Sequence, residues 1–260
     1  MHASLSPHVR YVWLVAASTI AGVMNAMAGG GSFVSFPAML GVGVPPIQAN
    51  ATNTVALWPG QLTSVATLRD DLRRDLIWTV AIASLVGGFG GAEILLHTSQ
   101  DTFTRLIPWL ILVGTLLFWA SGPVSKWLRK RAAKGDAPQT ISKVAICLAL
   151  LPVTFYVGYF GAGSGFLTMT VLALFGIENM HELNAMKVFA VLIANLCAIV
   201  TFVIQGAVVW HYCLLSAIFA GLGGYMGAKF AKRVNPAALR TMVVVIGFGI
   251  AAYFFWKQAA

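Results

Sequence analysis

The chain is poor in acid. Its 260 residues include eight aspartates and glutamates against seventeen lysines and arginines, and charged residues of both signs make up only 10% of it. A soluble domain carries about 25% charged residues, so the polar surface of a water-soluble fold is missing. The five histidines are scattered and form no closely spaced pair on one helix face, which argues against a metal site. Cysteine is scarce as well. Cys147, Cys197 and Cys213 lie in or beside apolar runs with no paired spacing and read as small packing residues. There is no Gly-x-Ser-x-Gly, no His-Glu-x-x-His and no phosphate-binding loop ending in Gly-Lys-Ser/Thr. These absences argue against an enzyme, against an ATP-driven mechanism within the chain and against a cofactor.

What the chain has is apolar length. Hydrophobic residues make up 58% of it, arranged in stretches of roughly 15 to 22 residues with short connections, the pattern of an all-α polytopic membrane protein. The net charge of +9 does not point to nucleic acid, because the basic residues sit between apolar runs and not along one face. Lys126, Arg129, Lys130, Arg131 and Lys134 form one cluster, Arg69, Arg73 and Arg74 another, and Lys229, Lys232, Arg233 and Arg240 a third. This is how charge is distributed when basic loops stay in the cytoplasm of a prokaryotic inner-membrane protein. The start, with Arg10, an apolar run and Ala26-Met27-Ala28, imitates a cleavable signal. It is read as a retained first span because its counterpart near 143–160 must stay.

The expected spans are 9–28, 31–44, 50–68, 76–97 and 103–122, then 143–160, 164–177, 183–205, 209–228 and 238–256. The second and seventh are short for a spanning helix of about 20 residues. Gly122 and Pro123 are expected to close the fifth. The expected organisation is a first transmembrane repeat over 1–122, a basic cytoplasmic linker over 123–142 and a second transmembrane repeat over 143–260.

Three blocks recur in order. Ala28-Gly29-Gly30-Gly31-Ser32-Phe33 returns as Gly161-Ala162-Gly163-Ser164-Gly165-Phe166. Asn50-Ala51-Thr52-Asn53-Thr54 returns as Asn184-Ala185-Met186-Lys187-Val188, and Gly87-Gly88-Phe89-Gly90-Gly91 as Gly223-Gly224-Tyr225-Met226-Gly227. Basic loops fall at opposite positions in the two halves: Arg69, Arg73 and Arg74 follow the third span, whereas no lysine or arginine follows the eighth. Five segments per half with the second half inverted puts every basic cluster on one side. Eight spans, with the short segments re-entrant, is the alternative.

Glycine in a helix interior costs about 1 kcal/mol relative to alanine, so the first block predicts a broken helix in each half, near the repeat interface. Such paired breaks point to a transporter's binding site, and free helix N-termini attract anions. The third block reads instead as close helix packing. Asn50, Thr52, Asn53, Asn184 and Lys187 open the third and eighth spans. They serve either as caps and a lysine snorkelling to headgroups, or as polar groups converging on one cavity, where an anion would partner the lysine. Glu93, the only acid well inside an apolar run, is the coupling candidate.

At these residues the chain resembles the TauE/SafE sulfite-exporter family. The matching pieces are Asn25 through Phe33 with Pro37, Ala49 through Asn53, Gly158 through Phe166, and Asn184 through Lys187. The resemblance covers essentially the whole chain. It implies transport of a small anionic sulfur compound such as sulfite, sulfoacetate or another organosulfonate. The expected substrate-binding set is Asn25, Gly30, Gly31, Ser32, Asn50, Thr52, Asn53, Gly163, Ser164, Gly165, Asn184 and Lys187. Two positions depart from the family pattern: Thr54 stands where a lysine is frequent, and Met186 where a threonine is common. The expected activity is secondary transport across the cytoplasmic membrane by alternating access, with membrane lipid around it and proton or sodium coupling unassigned. A passive anion channel and a non-transporting assembly partner are the alternatives.

Overall fold

Each apolar run becomes a helix. The structure, a computed structural model, describes residues 6–27, 30–132, 142–177, 179–230 and 236–259. Among them are α1 (Pro7–Met27), α2 (Ser32–Gly41), α3 (Pro46–Thr67), α4 (Ile77–His97), α5 (Gln100–Ala132), α6 (Lys143–Tyr159), α7 (Ser164–Leu174), α8 (Met180–Ile204), α9 (Trp210–Phe230) and α10 (Pro236–Ala259). A 3-10 turn, Arg69–Asp71, follows α3. The all-α reading holds, and five of these helices contain a stretch long and apolar enough to cross a membrane. The expected spans match the helices to within a few residues at each end, with one clear exception. α5 does not stop at Gly122-Pro123 but continues to Ala132. A proline removes one helical hydrogen bond, and the following Ser125–Ala132 run is rich in strong helix formers that carry the helix on. The rest of the expected linker, with Lys134, Gly135, Asp136 and Pro138, lies outside the described residues, as do Ala28, Gly29, Glu178, Lys232 and Arg233.

The short helices have the same ending. Gly43 adopts φ +91° after α2, and the Val44 N–H returns to the Met39 carbonyl at 3.1 Å. Gly176 adopts φ +98° after α7, and the Ile177 N–H returns to Leu172 at 3.3 Å. This is a left-handed glycine cap that satisfies the last carbonyls. At about 1.5 Å rise per residue, α2 and α7 are about 15 Å long, half the hydrocarbon thickness.

The helices gather into two compact units, and each unit draws on both halves of the sequence. Unit 1 is Met1–Gly60, Thr98–Leu112 and Phe202–Ala260; unit 2 is Gln61–His97 and Val113–Thr201. In unit 1, α1 packs along α9; in unit 2, α6 packs along α4. The two pairings are built alike. Gly223 faces Thr19, Gly22 faces Ala220 and Gly224, and Gly227 faces Val23. Correspondingly, Gly87 faces Phe155, Gly158 faces Gly88, and Gly91 faces Phe155 and Tyr159. A Cβ added at Gly22, Gly87, Gly91, Gly158 or Gly223 would collide with backbone or side-chain atoms of the partner helix, and one added at Gly88 with Ala194 of α8. Small residues of this kind let helix backbones meet in a membrane, where hydrophobicity does not drive helices together. The third sequence block is therefore a packing device.

Around the α4–α6 seam, unit 2 closes a core of Leu76, Val80, Ile146, Leu150, Leu172, Leu183 and Met186. The three cysteines are free thiols, Cys213 buried and the others half-buried.

The packing separates glycines that cannot change from those that can. Gly91→Ala, which would drive a methyl group into the Phe155 carbonyl of α6, is expected to cost about 1–3 kcal/mol. Gly221→Ala meets nothing within 4 Å and should be neutral or gain about 0.5–1 kcal/mol. Thermal unfolding in detergent compares the two, and equal losses would contradict the seam.

Candidate functional site

The second glycine break is built in unit 2. After Tyr159 the chain leaves the helix, and the Gly161 N–H turns back to the Tyr156 carbonyl at 2.9 Å with φ +77°. The Tyr156 hydroxyl donates to the Ala162 carbonyl at 2.8 Å, and the Ser164 hydroxyl donates to the Gly161 carbonyl at 2.7 Å. Gly163 then starts α7 with φ +75°. Two constraints demand glycine at 163: the left-handed backbone, and the Gly114 carbonyl of α5 lying where a Cβ would stand.

Lys187 of α8 lies over the first turn of α7. A Cβ built on Gly165 would touch the lysine stem, with Cδ at 3.5 Å. The ammonium donates to Asn184 Oδ1 at 2.6 Å. Among the described residues, no carboxylate forms an ion pair with Lys187. A cation thus stands beside the positive end of a helix dipole, bonded to a neutral amide. The two fields repel one another, and both attract an anion.

The first break, in unit 1, is neutral. Gly30 takes φ +87°, and the Gly31 N–H donates to Asn25 Oδ1 at 2.7 Å. Gly31 has no room for a Cβ between Asn25 and the Ala21 carbonyl. Ser32 begins α2, and one turn on, Ser35 bonds to Asn53 Oδ1 of α3 and to the Gly31 carbonyl. Asn50, Thr52 and Asn53 are all buried. The Thr54 hydroxyl donates to the Asn50 carbonyl at 2.9 Å, and Thr52 Oγ1 accepts from the Val209 N–H at 3.0 Å. Asn53 and Lys187 hold matching places in the two Asn-Ala blocks, each set against the short helix that follows a glycine break. Only one of the two is charged.

Met186, where threonine is common in the family, sits in the apolar core of unit 2 at 0% exposure. Its equivalent Thr52 is held by a backbone N–H, so neither departure nor counterpart has a polar group left over. Glu93 lies near the end of α4, with Oε2 at 3.6 Å from Nδ1 of exposed His97, one turn away. In the connection before α4, Arg73 bonds Asp75 at 2.8 Å and reaches Glu182, in the first turn of α8, at 3.4 Å. The hydrogen bond from Arg73 holds the Asp75 carboxyl below its usual range.

Both glycine breaks and the polar openings of α3 and α8 stand where the sequence places them. Ser35, Tyr156 and Gly114, which hold the breaks, escape a reading of the sequence, because a single hydroxyl or glycine in an apolar run carries no signal of its own. Arg73 reads there as a loop cation and Glu182 as a solvated acid, since residues 109 positions apart declare no pairing.

The family described as "Sulfite exporter TauE/SafE" matches residues 14–254 of the chain. Among its relatives is a protein of Haemophilus influenzae described as "Probable membrane transporter protein", 26% identical over 92% of each chain. A Sinorhizobium protein, "Probable membrane transporter protein ORF9", is 27% identical over 92% of this chain and 90% of its own. "Probable membrane transporter protein YfcA" of Escherichia coli K12 is 23% identical over 92% and 87%. No solved structure matches the chain.

Two outcomes check the geometry. Gly163→Ala is expected to cost about 1–3 kcal/mol through left-handed strain and the Gly114 carbonyl, read by thermal unfolding. Because the folded Asp75 value is depressed, its contribution is present above the ordinary aspartate value, about pH 4, and is lost as pH falls through the folded value. Wild type and Arg73→Gln should therefore differ in stability at neutral pH and converge on acidification. A gap that persists in acid would show that Arg73 acts by packing alone.

Proposed function

Since this chain belongs to the TauE/SafE sulfite-exporter family, we propose that it is a secondary transporter of the cytoplasmic membrane. Its cargo is a small sulfur-containing anion: sulfite, sulfoacetate or another organosulfonate. The description of its relatives as membrane transporters supports the coarser part of this reading. The finer part rests on one observation: the Lys187 stem lies against Gly165 in the first turn of α7, and its ammonium is bonded to Asn184 and to no carboxylate among the described residues. An oxyanion there would accept hydrogen bonds from N–H groups in the first turn of α7 and from the ammonium together.

Alternating access supplies the transport step. The anion enters from one side, neutralises Lys187 and stabilises α7 against α8; it then leaves to the other side. Asn53 and Ser35 form the neutral counterpart in unit 1, so the cargo charge is carried by the lysine side. Coupling of flux to a proton or to sodium would explain concentrative movement, with Glu93 as the candidate acid.

The test is thermal stabilisation of purified protein by sulfite, sulfoacetate, taurine and sulfate, with Lys187→Ala alongside. A ligand at 100 times its dissociation constant adds about 2.7 kcal/mol to the folded state. The expected outcome is stabilisation of the wild type by a sulfur oxyanion and its loss in Lys187→Ala. Equal stabilisation of both proteins would remove Lys187 from the site.

A further inference from the structure

Gln61 of α3 and Asn195 of α8 are bonded to one another, with Asn195 Nδ2 donating to Gln61 Oε1 at 3.0 Å. They stand 134 positions apart, the spacing that aligns Asn50 with Asn184 and Asn53 with Lys187 earlier on the same two helices. Each residue is thus the other's repeat counterpart. Both are polar side chains within helices, Gln61 in the last third of α3 and Asn195 within the apolar α8; Asn195 is buried and Gln61 half-buried. Both lie in unit 2.

We propose that the Gln61–Asn195 contact is a fixed pivot, closed in both the outward-facing and the inward-facing state. This rests on the alternating-access reading above and on inverted repeats. In such a protein the two states arise when the repeats exchange conformations around a central site. The exchange turns a contact between two unrelated positions into a contact between their counterparts elsewhere. A contact between counterparts turns into itself. The Arg73–Glu182 pair is of the first kind: its image would join Gln48 to residues 207–209, which are uncharged. That pair is free to break as the state changes, whereas the Gln61–Asn195 bond is retained. Polar side chains bonded between membrane helices suit a point that keeps its geometry, because each would otherwise lose its partner in an apolar setting.

The test uses the full chain with Cys147, Cys197 and Cys213 changed to Ala. Gln61→Cys with Asn195→Cys is bridged in membrane vesicles by a short bis-methanethiosulfonate, and Arg73→Cys with Glu182→Cys is treated in parallel. Sulfite and sulfoacetate fluxes are followed before bridging, after it and after reduction. A pivot keeps flux within about twofold on bridging and bridges equally with substrate on either side, because locking a contact common to both states does not shift their balance. Flux lost on bridging and recovered on reduction overturns it, as does bridging that needs substrate on one particular side. A second variant, Asn195→Leu, should lower thermal stability while leaving the ratio of apparent affinities from the two faces unchanged. Opposite shifts of the two affinities would show a contact made in one state only. If the wild type moves neither anion, the transport reading fails. The bridging yield and the stability loss still decide whether the contact is permanent.

Discussion

The architecture depends on places where a side chain is missing. Helices in a membrane gain nothing from hiding apolar surface against each other, so they associate where backbones can come close enough for dispersion to add up. Gly22, Gly223 and Gly227 allow this between α1 and α9, Gly87, Gly91 and Gly158 between α4 and α6, and Gly88 between α4 and α8. These seams do more than hold pairs of helices. The α6 seam runs to Tyr159, directly before Gly161 turns the chain out of the helix, so the packing fixes where the break occurs. Gly114 then gives Gly163 the space to restart the chain as α7.

The device occurs twice along the chain, and the two occurrences differ in charge. In unit 1 the residue facing the short helix is Asn53, bonded to Ser35; in unit 2 it is Lys187, bonded to Asn184. The amino end of α3 is tied by neutral amides, Gln48 to Gln100, and the amino end of α8 by Arg73 with Glu182. Thr52 anchors the backbone of the α8–α9 connection, while its equivalent Met186 fills an apolar core. A single cation against a helix N-terminus gives the second copy an unbalanced positive field. A membrane interior tolerates such a field when a bound anion completes it.

Much of this was legible in the sequence, and the reason is lipid. A bilayer admits only a helix or a closed barrel, so apolar length by itself determined the ten α-helices among the described residues and nearly all their ends. Glycine clusters determined the breaks, since no other residue accepts φ values such as +77° at Gly161 and +75° at Gly163 without strain. The repeat spacing determined that Asn53 and Lys187 are equivalents. The helix of α5 runs past Gly122-Pro123, where the sequence places the end of the fifth span, because strong helix formers follow.

Only the tertiary structure decided which helix meets which. That α1 pairs with α9 and α4 with α6 mixes the halves of the chain, and no local pattern encodes partners so far apart. The same holds for Ser35 against Asn53, Arg73 against Glu182 and Gln61 against Asn195. Each is a polar residue whose sequence neighbours say only that it is costly to bury. The physical reason is that helix formation is governed by residues within one or two turns, whereas pairing is governed by shape and hydrogen-bond satisfaction between surfaces that the chain brings together only after it has folded.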